Sequence, residues 1–218
     1  MRQRTAGGGN GMRNEDRRDR LRMALIDAAE ATIAADGLAA LKARDLAKEV
    51  GCALGAIYTA FPDLDALILT VNLRTLALFE RAITEVTIAP PPTGAASPAE
   101  RAAAADTLVR LAVAYLHFAA ENPARWRALF QHRITHALPD WYLVEQVRLF
   151  RYIETPLQVL RPGLGDRERA LLARSLFSAT HGLVSLGLDE KLMVLSEPVL
   201  RGQIEIVVGA LGRGLAEG

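Results

Sequence analysis

The chain has 218 residues, half of them hydrophobic, and a formal net charge of +1. That length suits one large domain or a small domain followed by a larger one, and an excess of Ala and Leu favours helices around a sizeable core. A lone cysteine, Cys52, excludes a disulfide framework within the chain, and near-neutral charge announces no nucleic-acid partner by itself.

Residues 1–14, MRQRTAGGGNGMRN, read as a flexible basic arm with nothing to bury. The opening stretch is polar and rich in Arg and Gly, so no secretory leader is expected. No uninterrupted apolar run reaches the roughly 18–20 residues of a membrane span, and a cytoplasmic location without a membrane partner is expected. From Glu15 a helical pattern begins. Leu21, Leu25, Ala28, Ala29 and Thr32 recur at helical spacing, Ile26 and Ile33 widen the stripe, and Gly37 ends it.

Two short helices are predicted next: ARDLAKEV at 43–50, stopped by Gly51, and LGAIYTAF at 54–61, stopped by Pro62. Asp63 is a fair N-cap for a long helix through Leu67, Ile68, Val71 and Phe79. After the break APPPTGAAS, Ser97, Pro98 and Glu100 supply an N-cap, a first-turn proline and a capping-box acid. That helix places Leu108, Leu111, Ala112, Tyr115, Phe118 and Ala119 on one side. Asn122-Pro123 punctuates it, a short PARWRALF helix follows, and Asp140 caps another with Val144, Val147, Phe150 and Leu157 expected inward.

The last two helices lack a clean polar face. Between Ala170 and Leu188 the charges are Arg174 and, when protonated, His181; between Val199 and Leu211 they are Arg201 and Glu205. Helices apolar most of the way round are buried on two sides, either inside a monomer or against a twin. Gly182, Gly202 and Gly209 lie inside them and weaken them unless another helix approaches closely. No strand signal or internal repeat is present.

The stretch from Leu38 to Phe61 carries the functional motif. A helix-turn-helix needs two short helices and a tight turn, so that the second helix can enter the major groove. Leu46, Ala47 and Val50 form the inward side of the first, Gly51 makes the turn, Cys52 plugs it, and Ile57 and Phe61 anchor the second. Leu54, Gly55, Tyr58 and Thr59 are left facing outward.

Gly37, Arg44-Asp45-Leu46-Ala47, Gly51-Cys52-Ala53, Gly55, Ile57-Tyr58 and Phe61-Pro62 stand in the order and spacing of the TetR family, which residues 20–70 resemble. FAAENPARWRALF and LFSATHGLVSLGL resemble the family's C-terminal subgroup with a Trp-His-Gly signature, with Phe177 in the place of the Trp. The resemblance implies an all-α protein of about nine helices: arm (1–14), three-helix DNA-binding module (15–62), then ligand-binding and dimerisation domain (63–218). It implies a homodimer through 166–188 and 196–215 that binds a palindromic operator, acts as a repressor, and is released by a small, largely apolar effector. DNA contacts fall on Lys42, Arg44, Ala53, Leu54, Gly55, Tyr58 and Thr59. Ligand contacts fall on Tyr115, His117, Trp126, Phe130, Tyr152, Phe177 and His181; the alternative for each is plain core.

Four family positions differ. Lys42 replaces the Ser or Thr before the first short helix, Ala53 the Ser at the recognition helix, Ala60 an aromatic or His, and Leu64 the Lys that touches a phosphate. Across 38–64, Lys42, Arg44 and Lys48 balance Asp45, Glu49 and Asp63, so phosphate neutralisation there is weak. Residues 1–22 hold seven Arg against three acids, and such an arm either lies along DNA or stays a solvated tail. The alternative function is therefore a TetR-fold ligand-binding or protein-interaction module with weakened or lost DNA binding.

His132 and His136 are spaced i, i+4, but no HExxH or neighbouring Cys supports a metal, and neither metal nor cofactor is expected. No GxSxG, P-loop or dinucleotide fingerprint is present, so no enzyme is expected.

Overall fold

A computed structural model describes residues 8–86, 88–134, 137–188 and 195–217, with side chains from Glu15 onward. Among these residues there are nine α-helices, one 3-10 turn and no strand. The helices are α1 Gly8–Asp36, α2 Ala43–Val50, α3 Leu54–Ala60, α4 Leu64–Thr84 and α5 Pro98–Glu121, followed by α6 Pro123–Gln131, α7 Asp140–Leu160, α8 Asp166–Gly187 and α9 Glu197–Glu217. Helix α1 begins at Gly8 rather than Glu15: once a helix is nucleated, each further residue gains a hydrogen bond, so weak helix formers extend it.

The described residues form two compact units. One comprises residues 1–75 and 124–137, the other residues 76–123 and 138–218. The boundary thus falls inside α4, beyond the 62/63 division read from the motif, and α6 belongs with the first unit.

In the first unit, α1, α2 and α3 pack on one another. Leu25, Ala29 and Ile33 of α1 meet Leu46, Ala47, Ile57 and Phe61 in a buried cluster. Leu67, Ile68 and Val71 of α4 and Ala128 of α6 complete it. Gly51 adopts φ 72°, a left-handed conformation open to glycine at little cost, and lets Cys52 N–H donate to the Ala47 carbonyl at 2.9 Å. The N-caps of α2 and α3, Lys42 and Ala53, make no side-chain capping bond, whereas Asp63 accepts from Ala66 N–H at 2.7 Å.

In the second unit, α5 is the central helix, with α7, α8 and α9 packed on it. The capping box at its start is formed: Ser97 Oγ accepts from Glu100 N–H at 3.2 Å and Glu100 accepts from Ser97 N–H at 2.7 Å. Tested one by one, α5 is the one described helix long and apolar enough to cross a membrane, and 56% of that apolar stretch is buried within the protein.

Of the three glycines expected at close helix approaches, Gly209 is buried, with a Cβ there 3.8 Å from Val109 of α5, while the tightest approaches fall at two other glycines. A Cβ at Gly187 would sit 2.1 Å from Leu200, and one at Gly212 would sit 3.3 Å from the Ala105 backbone. Gly182 and Gly202 face open space. The inward placement of Val144 and Val147 is corrected: they are 63% and 46% exposed. The first turns of α7 are apolar nearly all round, so periodicity there does not choose a side. Packing chooses Tyr142 and, further on, Pro156, Leu157, Val159 and Leu160.

Candidate functional site

Two places in the chain gather the residues singled out from the sequence. The first is the surface of α2 and α3. Ile57 is fully buried and Phe61 nearly so, which turns the opposite face of α3 outward. That face carries Leu54, Gly55, Tyr58 and Thr59, all exposed, with Ala53 exposed just before it. Lys42, Arg44 and Lys48 are exposed beside it and form no ion pair among the described residues.

Helix α1 fastens α3 through Arg22, a residue not among the site residues read from the sequence. Arg22 Nη1 donates to the Ala60 carbonyl at 2.8 Å, and its guanidinium lies 4.1 Å from the centre of the Phe61 ring. One side chain therefore satisfies an orphan carbonyl at the C-terminal end of α3 and covers the aromatic anchor behind it. No sequence signal marks this, because the partners are 38 residues apart. Thr59 Oγ1 donates to the Gly55 carbonyl within α3 at 3.1 Å.

The module is further stitched by charge. Arg74 donates to Asp27 at 2.6 Å and to Glu30 at 2.7 Å, and Arg125 of α6 donates to the other Glu30 oxygen. Burial pushes the Glu30 carboxyl up, but hydrogen bonds from Arg74 and Arg125 outweigh it and hold the group below its ordinary value. Just past α6, His132 Nε2 lies 2.9 Å from Asp65 Oδ1. His136, its proposed companion, lies outside the described residues. Among the described residues no group of three His, Cys, Asp or Glu could hold a metal ion.

The second place is an aromatic cluster between α4, α5, α7 and α8 in the second unit. Tyr115 stacks edge-on to Phe79 and to Phe177, both with ring centres 5.5 Å apart. Phe177 meets Phe150 edge-on at 5.6 Å and lies nearly parallel to the His181 ring at 5.8 Å. The Tyr115 hydroxyl and His181 Nδ1 are 2.7 Å apart, in a hydrogen bond whose donor depends on the histidine tautomer. Burial lowers the His181 pKa, which favours the uncharged ring.

Of the seven residues expected to touch a ligand, Tyr115, Phe177 and His181 come together here. Tyr152, on α7, donates to Glu80 at 3.2 Å, with Arg148 2.5 Å from the same carboxylate; burial, then the Glu80 charge, raises its phenol pKa. His117 points away from Tyr115, as a residue two positions on must on a helix, and pairs with Glu197 of α9 at 3.3 Å. It lines a separate open groove of 1390 Å³ between α4, α5 and α9, flanked by Arg110, Arg201 and Glu205. Trp126 and Phe130 lie on α6 in the first unit and pack edge-on to each other at 5.7 Å.

Several solved structures share the fold, three of them as follows. A protein of unknown function from Rhodococcus sp. RHA1 is 22% identical, with 90% of this chain and 95% of that one covered and a TM-score of 0.65. A TetR transcriptional regulator from Rhodococcus sp. RHA1 is 19% identical, with 89% and 96% covered and a TM-score of 0.55. A bacterial regulatory protein in the tetR family from Rhodococcus RHA1 is 16% identical, with 86% and 95% covered and a TM-score of 0.56. No protein with a curated function matches the chain. Residues 108–206 match the family profile described as tetracyclin repressor-like, C-terminal domain, and residues 25–71 match that of bacterial regulatory proteins, tetR family. Together the two profiles span both units, and the chain belongs to the TetR family of regulators.

Proposed function

We propose that this protein is a ligand-responsive transcriptional repressor that binds a palindromic operator as a homodimer and is released by a small, largely apolar effector. The observation that carries the reading is the exposed face of α3, Leu54, Gly55, Tyr58 and Thr59, backed by a closed core and flanked by the cations of α2. A B-DNA major groove about 12 Å wide admits such a helix. Tyr58 can donate to a phosphate, and Lys42, Arg44 and Lys48 supply charge that releases counterions.

A twin is supported by apolar exposure on the last two helices. Leu171 and Leu186 of α8 and Val199 and Ile206 of α9 are 48–62% exposed, and Gly182 and Gly202 stand open beside them. A dimer would carry two recognition helices, which must sit about 34–36 Å apart to enter successive major grooves. An effector that prefers another spacing lowers DNA affinity by the difference in its affinity for the two states. The cluster of Tyr115, Phe177 and the neutral His181 suits an uncharged ligand carrying one polar group.

The uncapped start of α3 at Ala53 favours a second reading, a TetR-fold module that has lost its DNA. Selecting duplexes from a random library with the full chain separates the two. The repressor reading expects a palindromic winner, and Arg44→Ala weakens binding to it by about 1–3 kcal/mol. No preference over random duplex would establish the second reading instead.

A further inference from the structure

Between Cys52 and Pro62 the chain has no Arg, Lys, Asn, Gln, His, Asp or Glu. Helix α3 therefore lacks every side chain that pairs bidentately with guanine or adenine, and has no carboxylate to accept from cytosine. What it exposes is the Leu54 side chain, the Cβ of Ala53, the bare backbone at Gly55, the Tyr58 ring and Thr59. The one small hydroxyl on this face has its proton engaged: Thr59 Oγ1 donates to the Gly55 carbonyl, so Thr59 can meet a base edge with its methyl or as an acceptor but not as a donor. Leu54, five residues earlier and one turn from Tyr58, is 39% exposed.

In the major groove one base offers an apolar partner to such groups, thymine with its C5-methyl. We infer that α3 reads its half-site through thymine methyl groups packed against Leu54 and Thr59, rather than through hydrogen bonds to base edges. The inference rests on the reading of α3 as the recognition helix. It names the class of sequence recognised: A·T pairs with thymine methyls directed at α3, with Gly55 and Ala53 small enough to let the helix approach them. Arg44, on α2, is the one arginine of the two short helices, so arginine–guanine contacts lie outside the α3 footprint.

The test uses the full chain and the duplex it selects from a random library. Each thymine of the half-site is replaced by deoxyuridine, which removes the methyl and keeps the base pair and its minor-groove face. Under the inference, binding weakens about fourfold for each contacted methyl lost, and about fifteenfold when both half-sites lose it. A 5-methylcytosine·guanine pair at the same position retains more affinity than cytosine·guanine. Thr59→Val, which keeps a methyl and removes the hydroxyl, retains the thymine-over-uracil preference. Thr59→Ser, which does the reverse, abolishes the preference at its own position. Both variants alter an exposed residue, and circular dichroism checks that the helices remain. A specific duplex bound equally with thymine and deoxyuridine overturns the inference and leaves the repressor reading standing. Failure to select any sequence overturns both.

Discussion

Arg22 shows how a residue acts through a partner far from it in sequence. Its bond to the Ala60 carbonyl and its place over Phe61 tie α1 to the end of α3. Arg22→Met keeps most of the apolar stem and removes both interactions, and should destabilise the protein by about 1 kcal/mol. Urea unfolding measures this, and an unchanged midpoint would show that the bond contributes nothing. His181 supplies a second test at this scale. Burial lowers its folded pKa, so the unfolded chain takes up the proton first as pH falls. The stability linked to it is complete above the ordinary histidine value of about 6.5 and drains away as pH falls through the folded value. His181→Gln, which cannot titrate, should show a flatter dependence of unfolding free energy on pH across that window. Equal slopes for the two proteins would remove His181 from the acid response.

Helix α6 is the element whose role differs most from its place in the chain. It follows α5, yet Ala128 is 1% exposed in the core of the first unit. Arg125 at one end and His132 just past the other are paired to α1 and α4. Glu30 is the centre of this stitching, with arginines from two helices on one carboxylate. Glu30→Gln removes the charge and replaces one of the two acceptor oxygens by an NH2 donor facing an arginine, which should destabilise the protein by about 1–3 kcal/mol. Because the Glu30 pKa is lowered, its contribution is present above the ordinary carboxylate value and is lost as pH falls through the folded one. The variant and wild type should therefore converge in stability at acid pH, and a gap that persists there would assign the loss to packing instead.

At the scale of the whole molecule, the faces of α8 and α9 decide assembly. Gln203, Ile206 and Ala210 lie on an exposed stripe of α9, while Ile204 and Val208 are buried against the protein's own helices. Ile206, at 62% exposure, is the most exposed large apolar side chain of α9 and a direct probe of a twin. Ile206→Glu should convert a dimer to monomers with little change in monomer folding, since an unpaired charge buried at an interface costs several kcal/mol. Light scattering reads the mass directly, and a dimer that survives would move the interface to another face.

The order of helices, most of their ends and the outward face of α3 were legible from sequence alone. Each rests on local physics: Gly51 at a left-handed turn, the Ser97–Glu100 box, the proline after Phe61, and the 3.6-residue recurrence of Leu, Ile and Ala. So did the absence of base-pairing side chains from α3. Tertiary structure decided which distant residues meet. It joined Arg22 to Ala60 and Arg125 to Glu30, paired His117 with Glu197, and left Val144 and Val147 outside. A periodic pattern shows that a helix has an apolar stripe but not which helix covers it. An ion pair between residues 95 apart in sequence leaves no trace in the spacing of either.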